Sequence, residues 1–366
     1  MFAAALLAIS LLQSPASSHQ NSKPASVAET APSKLSSSEV VQLKAKAETG
    51  DADAQTTLGR AYQDGNGLSH DDGLAARWYR KAAEQGNASA QNSLGTMYRM
   101  GSGVEQDKAE AVNWYRKAAR QQYASAMFNL ATAYYNGDGV GIDDVFALAW
   151  FLLAQRNGSE AATDAVTRMT AELTPSQVAE AYVKLADMRT KGDDITRDDK
   201  EAAGWYSKAV DMGDTFSSVQ LAQRLVNGLG VPQDYPAARR LCEFAANNRY
   251  GPGAYCLGLM SRDGLGGPKD LQEAIKWFGR AAEFHDGRAM LSLGEMYWKG
   301  EGVKPDKETA YMWFLIAANL NVQDASSDEE KLRQEMDAKA MGKARQKAAA
   351  WSKQQPQLAL RQPHDK

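Results

Sequence analysis

Histidine and cysteine are scarce in this sequence. The 366 residues include four His, at positions 19, 70, 285 and 364, and two Cys. Scattered imidazoles and two thiols do not assemble the four N/S ligands of a structural zinc site, so no metal is expected. Charge of one sign is also missing. With 42 Lys+Arg against 45 Asp+Glu and a net charge of −3, the chain has no global basic footprint, which argues against nonspecific nucleic-acid binding. No stretch approaches the ~20 apolar residues of a membrane-spanning helix, so an integral membrane protein is not expected.

The ends differ from the middle. Phe2 to Leu12 is a predominantly apolar run, followed by Ser14-Pro15-Ala16 with small residues where a signal peptidase reads them. This resembles a secretory signal peptide, although no Lys or Arg precedes the run. Residues 1–16 are therefore expected to be a leader and the mature chain to be periplasmic or secreted. Residues 17–38, rich in Ser, Ala and Pro, have the composition of a solvated tether. At the other end Ser326 to Trp351 reads as one helix, and from Lys331 onward nine Lys/Arg stand against three Asp/Glu. A solvated basic face is the simpler reading of that tail, and contact with an acidic surface the alternative.

What fills the middle is a period. Leu58, Leu94 and Leu130 are spaced by 36 residues; after a gap of 55, Leu185, Leu221, Leu257 and Leu293 resume the same spacing. Seven positions after each Leu stands Gly (65, 101, 137, 192, 228, 264, 300), and a second Gly follows two later in every unit but the fourth, which has Asp194. Asp occupies the thirteenth position in all seven units. Trp occupies the twentieth in six, as Trp78, Trp114, Trp150, Trp205, Trp277 and Trp313, with Leu241 in the fifth.

Each column has a physical reason. The residue after the key Leu is Gly or Ala, as two closely approaching helices require. Gly reaches the left-handed φ that ends a helix, and Asp can accept from the free N–H groups that open the next one. Asp107/Glu110, Asp198/Glu201 and Asp270/Glu273 also have capping-box spacing. Ala residues three before and four after the Trp lay a small-residue stripe on the face that carries the indole. The spacing predicts an all-α solenoid of seven 36-residue helical hairpins with structural tryptophans.

These residues resemble the Sel1-like repeat family, relatives of the tetratricopeptide repeat. The resemblance rests on Leu58-Gly59-x-x-Tyr62-x-x-Gly65-x-Gly67, Asp71 and Trp78-Tyr79-x-Lys81-Ala82-Ala83, and on their counterparts in the following units. It covers roughly Asp51 to Leu320 and implies a noncatalytic scaffold for a protein or peptide partner. Units five and six depart most, with Leu225 and Ser261 in place of Tyr and Leu241-Cys242 in place of Trp-Tyr. The cysteine-rich relatives carry a Cys pair per repeat, at positions held here by Ala83 and Gln91 in the first pair. An antiparallel hairpin brings Cys242 and Cys256 to similar heights, which favours a bridge. Against it, Cys256 stands two positions beyond the site those relatives use, about 200° around a helix. Two buried thiols are the preferred expectation and a Cys242–Cys256 disulfide the alternative.

The extra 19 residues follow Trp150-Phe-Leu-Leu-Ala154, which resembles Trp313-Phe-Leu-Ile-Ala317 before the C-terminal helix. Both look like array ends. The expected division is repeats one to three with an N-terminal helix over 39–158, an inserted helix and linker over 159–177, and repeats four to seven over 178–320. A capping helix over 321–353 and a tail over 354–366 complete it.

Catalytic signatures are absent. Gly264-Leu-Gly266-Gly267 and Gly137-Asp-Gly139-Val-Gly141 follow no strand and lack the Lys of a P-loop; Asp138, Asp143 and Asp144 lack EF-hand spacing; neither Ser-x-x-Lys nor Gly-x-Ser-x-Gly occurs. No catalytic residue or cofactor is assigned. In related arrays the first helices line a concave groove, and the positions two before, two after and five after the key Leu nominate Arg60, Asn92, Arg99, Phe128, Tyr135 and Trp298, with Gln63, Thr96 and Thr132 beside them. Arg and aromatic side chains are the types that anchor protein partners. The expected function is an exported scaffold or adaptor for envelope signalling or assembly. Its rivals are an enzyme acting on cell-wall material or β-lactams and a secreted factor that binds a host protein.

Overall fold

The computed structural model describes residues 34–192 and 194–354; the leader, nearly all of the tether and residues 355–366 of the tail lie outside the described residues. Every regular element among the described residues is an α-helix. α1 (Ser37–Glu48) opens on a Ser36/Glu39 capping box. Three hairpins follow: α2 (Ala52–Asp64) with α3 (Asp72–Glu84), α4 (Ala88–Met100) with α5 (Lys108–Arg120), and α6 (Ala124–Asn136) with α7 (Asp144–Arg156). A single helix, α8 (Glu160–Glu172), interrupts them. The array resumes with α9 (Pro175–Lys191) and α10 (Asp199–Asp211), α11 (Thr215–Asn227) and α12 (Tyr235–Asn247), α13 (Gly251–Asp263) and α14 (Leu271–Glu283), and α15 (Gly287–Lys299) and α16 (Lys307–Asn319). It closes on α17 (Ala325–Arg333) and α18 (Ala338–Gln354).

The repeated columns build these hairpins. Each first helix ends on its Gly, at φ between 65° and 75°. Each second helix starts on its Asp, whose Oδ1 accepts from the N–H three residues on at 2.8–3.0 Å. The expected capping boxes do not close. Glu110 accepts from Asn113, Glu273 accepts from Ser261 at 2.8 Å, and Glu201 is drawn into ion pairs described below. The N–H of each of these capping Asp residues donates instead to a carbonyl of its first helix, Tyr98, Arg189 or Ser261, so it is not free for the Glu.

Packing ranks the aromatic columns differently from the sequence reading. Trp150 is fully buried and Trp114, Trp205 and Trp313 are buried, whereas Trp78 and Trp277 are half-buried under Lys81 and Arg280. The residue after the Trp is deeper in every unit that keeps the Trp except the third, as with Tyr79, Tyr115 and Phe278; in the third Trp150 is itself fully buried and Phe151 slightly less so. Its ring lies on the small residue of the first helix: a Cβ added at Gly59, Gly95, Gly258 or Gly294 would stand 2.4–2.9 Å from it. The second glycine of the loop serves stacking between hairpins. At Gly139 a Cβ would lie 2.2 Å from the Lys108 carbonyl oxygen, at the start of the preceding second helix.

The insertion is a packed layer. One apolar cluster runs from Ala111 to Tyr206 through α8 and α9; the next begins at Ala222, with Leu221 packed against both. α7 packs on α8 and α9 together, as α16 packs on α17 and α18. The correspondence holds residue by residue. Pro175 stands 25 positions after Trp150 and Ala338 stands 25 after Trp313, and both helices that start there are 17 residues long. Ala162 and Ala325, Met169 and Leu332, and Ala181 and Ala344 are matched buried pairs at an offset of 163. Thr174 and Asp337 are matched caps.

That match corrects the single helix expected over Ser326–Trp351. Asp337 accepts from the Ala340 N–H at 2.7 Å and opens a new helix, so the closing segment is two helices. A second correction concerns the cysteines. Cys242 in α12 and Cys256 in α13 form a disulfide, with Cα atoms 6.0 Å apart. Cys242 lies one turn earlier on its helix than the position used by the cysteine-rich relatives. Both cysteines are thus displaced away from the hairpin turn and stay at matching heights, which the comparison of one cysteine alone did not register.

Candidate interaction surface and the seam at α8

The nominated first-helix residues do not form one free patch. Arg60 is exposed on α2, while Asn92, Arg99, Phe128, Tyr135 and Trp298 are half-buried. Asn92 accepts from Asn129 Nδ2 at 2.8 Å, tying α4 to α6, and Phe128 packs edge-on against Phe151 at 5.3 Å. Gln63 accepts from the Tyr79 hydroxyl, and Thr96 and Thr132 donate back to their own helices. Arg99 is on the helix beside Asn92. Tyr135 and Trp298 stand at equivalent places, 163 residues apart, each beside an added helix. Arg168 of α8 lies over the Tyr135 ring at 5.7 Å. Trp298 packs on Phe314 at 5.9 Å and neighbours Glu335, just past α17. The Lys307 contact at 3.0 Å, aided by Trp298, holds Glu335 below the usual carboxylate range. The first-helix face is thus divided into two stretches, each with an aromatic and a charged residue at its end.

α8 has a second consequence. Loops after the other first helices land on the start of the preceding second helix, as Gly103 does on Asp72 and Gly230 on Asp199. The loop after α9 reaches the far end instead: Asp194 pairs with Arg116 at 3.6 Å and Arg120 at 3.8 Å, in the last turns of α5. One extra helix reverses the sense of all that follow, so the ends of α5, α7 and α9 come together. There Glu201, with its side chain 7% exposed, meets Arg189 Nε at 2.7 Å and Arg156 Nε at 3.0 Å, and accepts from Trp205 Nε1 at 3.1 Å. The Arg189 Nε contact is an ion pair rather than an aligned hydrogen bond, while its Nη1 donates to the Thr196 carbonyl at 2.9 Å. Lys208 lies over Trp205 at 4.3 Å, and burial together with the charge of Arg156 lowers its pKa. Sequence reasoning missed this cluster; the Asp at the second-glycine position of unit four was its one visible sign.

No helix among the described residues is long and apolar enough to cross a membrane. The molecule is an α-solenoid of stacked hairpins with polar first-helix faces, the class of repeat proteins that present extended surfaces. The chain belongs to the Sel1 repeat family, whose model matches residues 52–87, 88–123, 124–159, 179–214, 217–250, 252–283 and 287–322. It is similar to c5321, a protective antigen of uropathogenic Escherichia coli with an SLR fold, at 33% identity over 85% of this chain and 72% of that one, with a TM-score of 0.42. A Sel1 repeat protein from Oxalobacter formigenes is 26% identical over 81% and 80% of the two chains, with a TM-score of 0.40. No curated protein matches. Sel1 repeat proteins are in general noncatalytic scaffolds for protein interaction.

Proposed function

We propose that this chain is an exported, noncatalytic adaptor that holds a protein or peptide partner on its first-helix faces and serves envelope signalling or assembly. The observation that carries the reading is the division of labour along each first helix. On α2 and α4 the key Leu58 and Leu94 and their small neighbours Gly59 and Gly95 are buried in the core, while Arg60 is exposed and Arg99 half-exposed on the same helices. Arg side chains presented this way are frequent anchors in protein interfaces. Export is supported by the apolar leader and by the Cys242–Cys256 bridge, since disulfides persist in oxidising compartments. The test is recovery of the protein from the envelope fraction of its native host with an N-terminus near Ser17, followed by affinity capture. Arg60→Glu with Arg99→Glu should abolish capture at an unchanged melting temperature. An intact Met1 in cytosolic protein refutes export, and undiminished capture by the folded double variant refutes the surface.

A further inference from the structure

The seam holds a pocket of about 590 Å³ that the first-helix reading does not use. It is built from second helices and one loop: Arg156 from α7, Lys200, Gly204, Trp205 and Lys208 from α10, and Pro232 from the loop after α11. Its floor is open because of one residue. The position before the Trp carries Arg77, Asn113, Arg240, Lys276 or Met312 in five other units, and Ala149 in unit three, but Gly204 here. A Cβ placed at Gly204 meets nothing within 4 Å, so the space over that turn is empty by sequence choice.

The charges around the space are unevenly matched. Asp198 is occupied as the cap of α10 and Glu201 by Arg189 and Arg156. Lys200 and Lys208 form no ion pair within 4.0 Å among the described residues. Arg156 is 58% exposed and, like Lys208, lies beside the indole of Trp205, so two like charges stand close enough to repel. A single negative charge between them relieves that repulsion. The two carboxylates on the wall disfavour a doubly charged phosphate, and the Val231 and Pro232 surfaces favour an apolar neighbour beside the anion.

We propose that the seam pocket binds an acidic peptide segment, placing one carboxylate between Arg156 and Lys208 and an adjoining aliphatic side chain against Val231 and Pro232. The pocket is separate from the first-helix faces, so either assignment stands if the other fails.

The experiment titrates the full chain into two fluorescein-labelled peptides with blocked ends, Ala-Leu-Glu-Leu-Ala and its Gln analogue, followed by fluorescence anisotropy. Expected are at least 10-fold tighter binding of the Glu peptide, weakening as salt rises, and no displacement by millimolar inorganic phosphate. Gly204→Leu fills the floor and should lower affinity at least 10-fold without lowering the melting temperature; Lys208→Gln should lower it about 5-fold. If Gly204→Leu does not fold, Lys208→Gln decides alone. The proposal is overturned by no binding of the Glu peptide, by equal binding of both peptides, by displacement with phosphate, or by wild-type affinity in the folded variants.

Discussion

Glu201 makes the seam testable by a mutational cycle. Its side chain is 7% exposed and Arg189 is 4% exposed, so removing the carboxylate strands a buried guanidinium, whereas Arg156 is 58% exposed. Breaking a buried ion pair from one side costs about 3–5 kcal/mol, and a solvent-exposed partner contributes about 0–1 kcal/mol. Glu201→Ala should therefore destabilise most. Arg189→Ala should cost less, because Arg156 and Trp205 still engage the carboxylate, and Arg156→Ala should cost about 1 kcal/mol or less. Replacing both buried partners, Arg189→Met with Glu201→Leu, should return stability to within about 1 kcal/mol of wild type, since apolar isosteres often match a buried pair. Because repeat arrays need not unfold in one step, urea denaturation should be paired with native-state hydrogen exchange in α9 and α10. A loss below about 1 kcal/mol for Glu201→Ala, or a double variant as unstable as that single one, would refute the argument.

Reducing the Cys242–Cys256 bridge, which spans 14 residues of sequence, should lower stability by about 3 kcal/mol, seen as an earlier urea transition with reductant. Gly95→Ala puts a Cβ 2.8 Å from the Tyr115 ring and should cost about 1–3 kcal/mol by the same assay. Burial opposes ionisation of Asp306, yet the Thr309 side chain and N–H hold its carboxyl below the usual range. Its contribution is present above the unfolded pKa of about 3.9 and is lost as pH falls through the lower folded value; in Thr309→Val that acid-side loss should shrink in a pH series of melting temperatures.

Features repeated seven times were legible in the sequence because each column states the same physical requirement again. Leu58 and its counterparts, the helix-ending Gly and the capping Asp placed every hairpin. What escaped depends on one-off geometry. The sign of α8's effect lies in helix parity, which brings Arg116 to Asp194 although the two are 78 positions apart in sequence. The 163-residue match of α8–α9 with α17–α18 was glimpsed only in the Trp-Phe-Leu segments, since the later helices share burial and caps more than residue identity. For the interaction surface, residue type singled out Phe128 and Tyr135, but type alone does not reveal that Phe151 and Arg168 already lie against them.

The central claim, that first-helix faces hold the partner, is tested most directly by site-specific photo-cross-linking in the native envelope. A photoreactive amino acid at Arg60 or Arg99 should give one adduct of common mass, while the exposed second-helix positions Arg77 and Lys276 give none. Adducts from Arg77 and Lys276 alone, or no adduct from Arg60 and Arg99, would contradict the account.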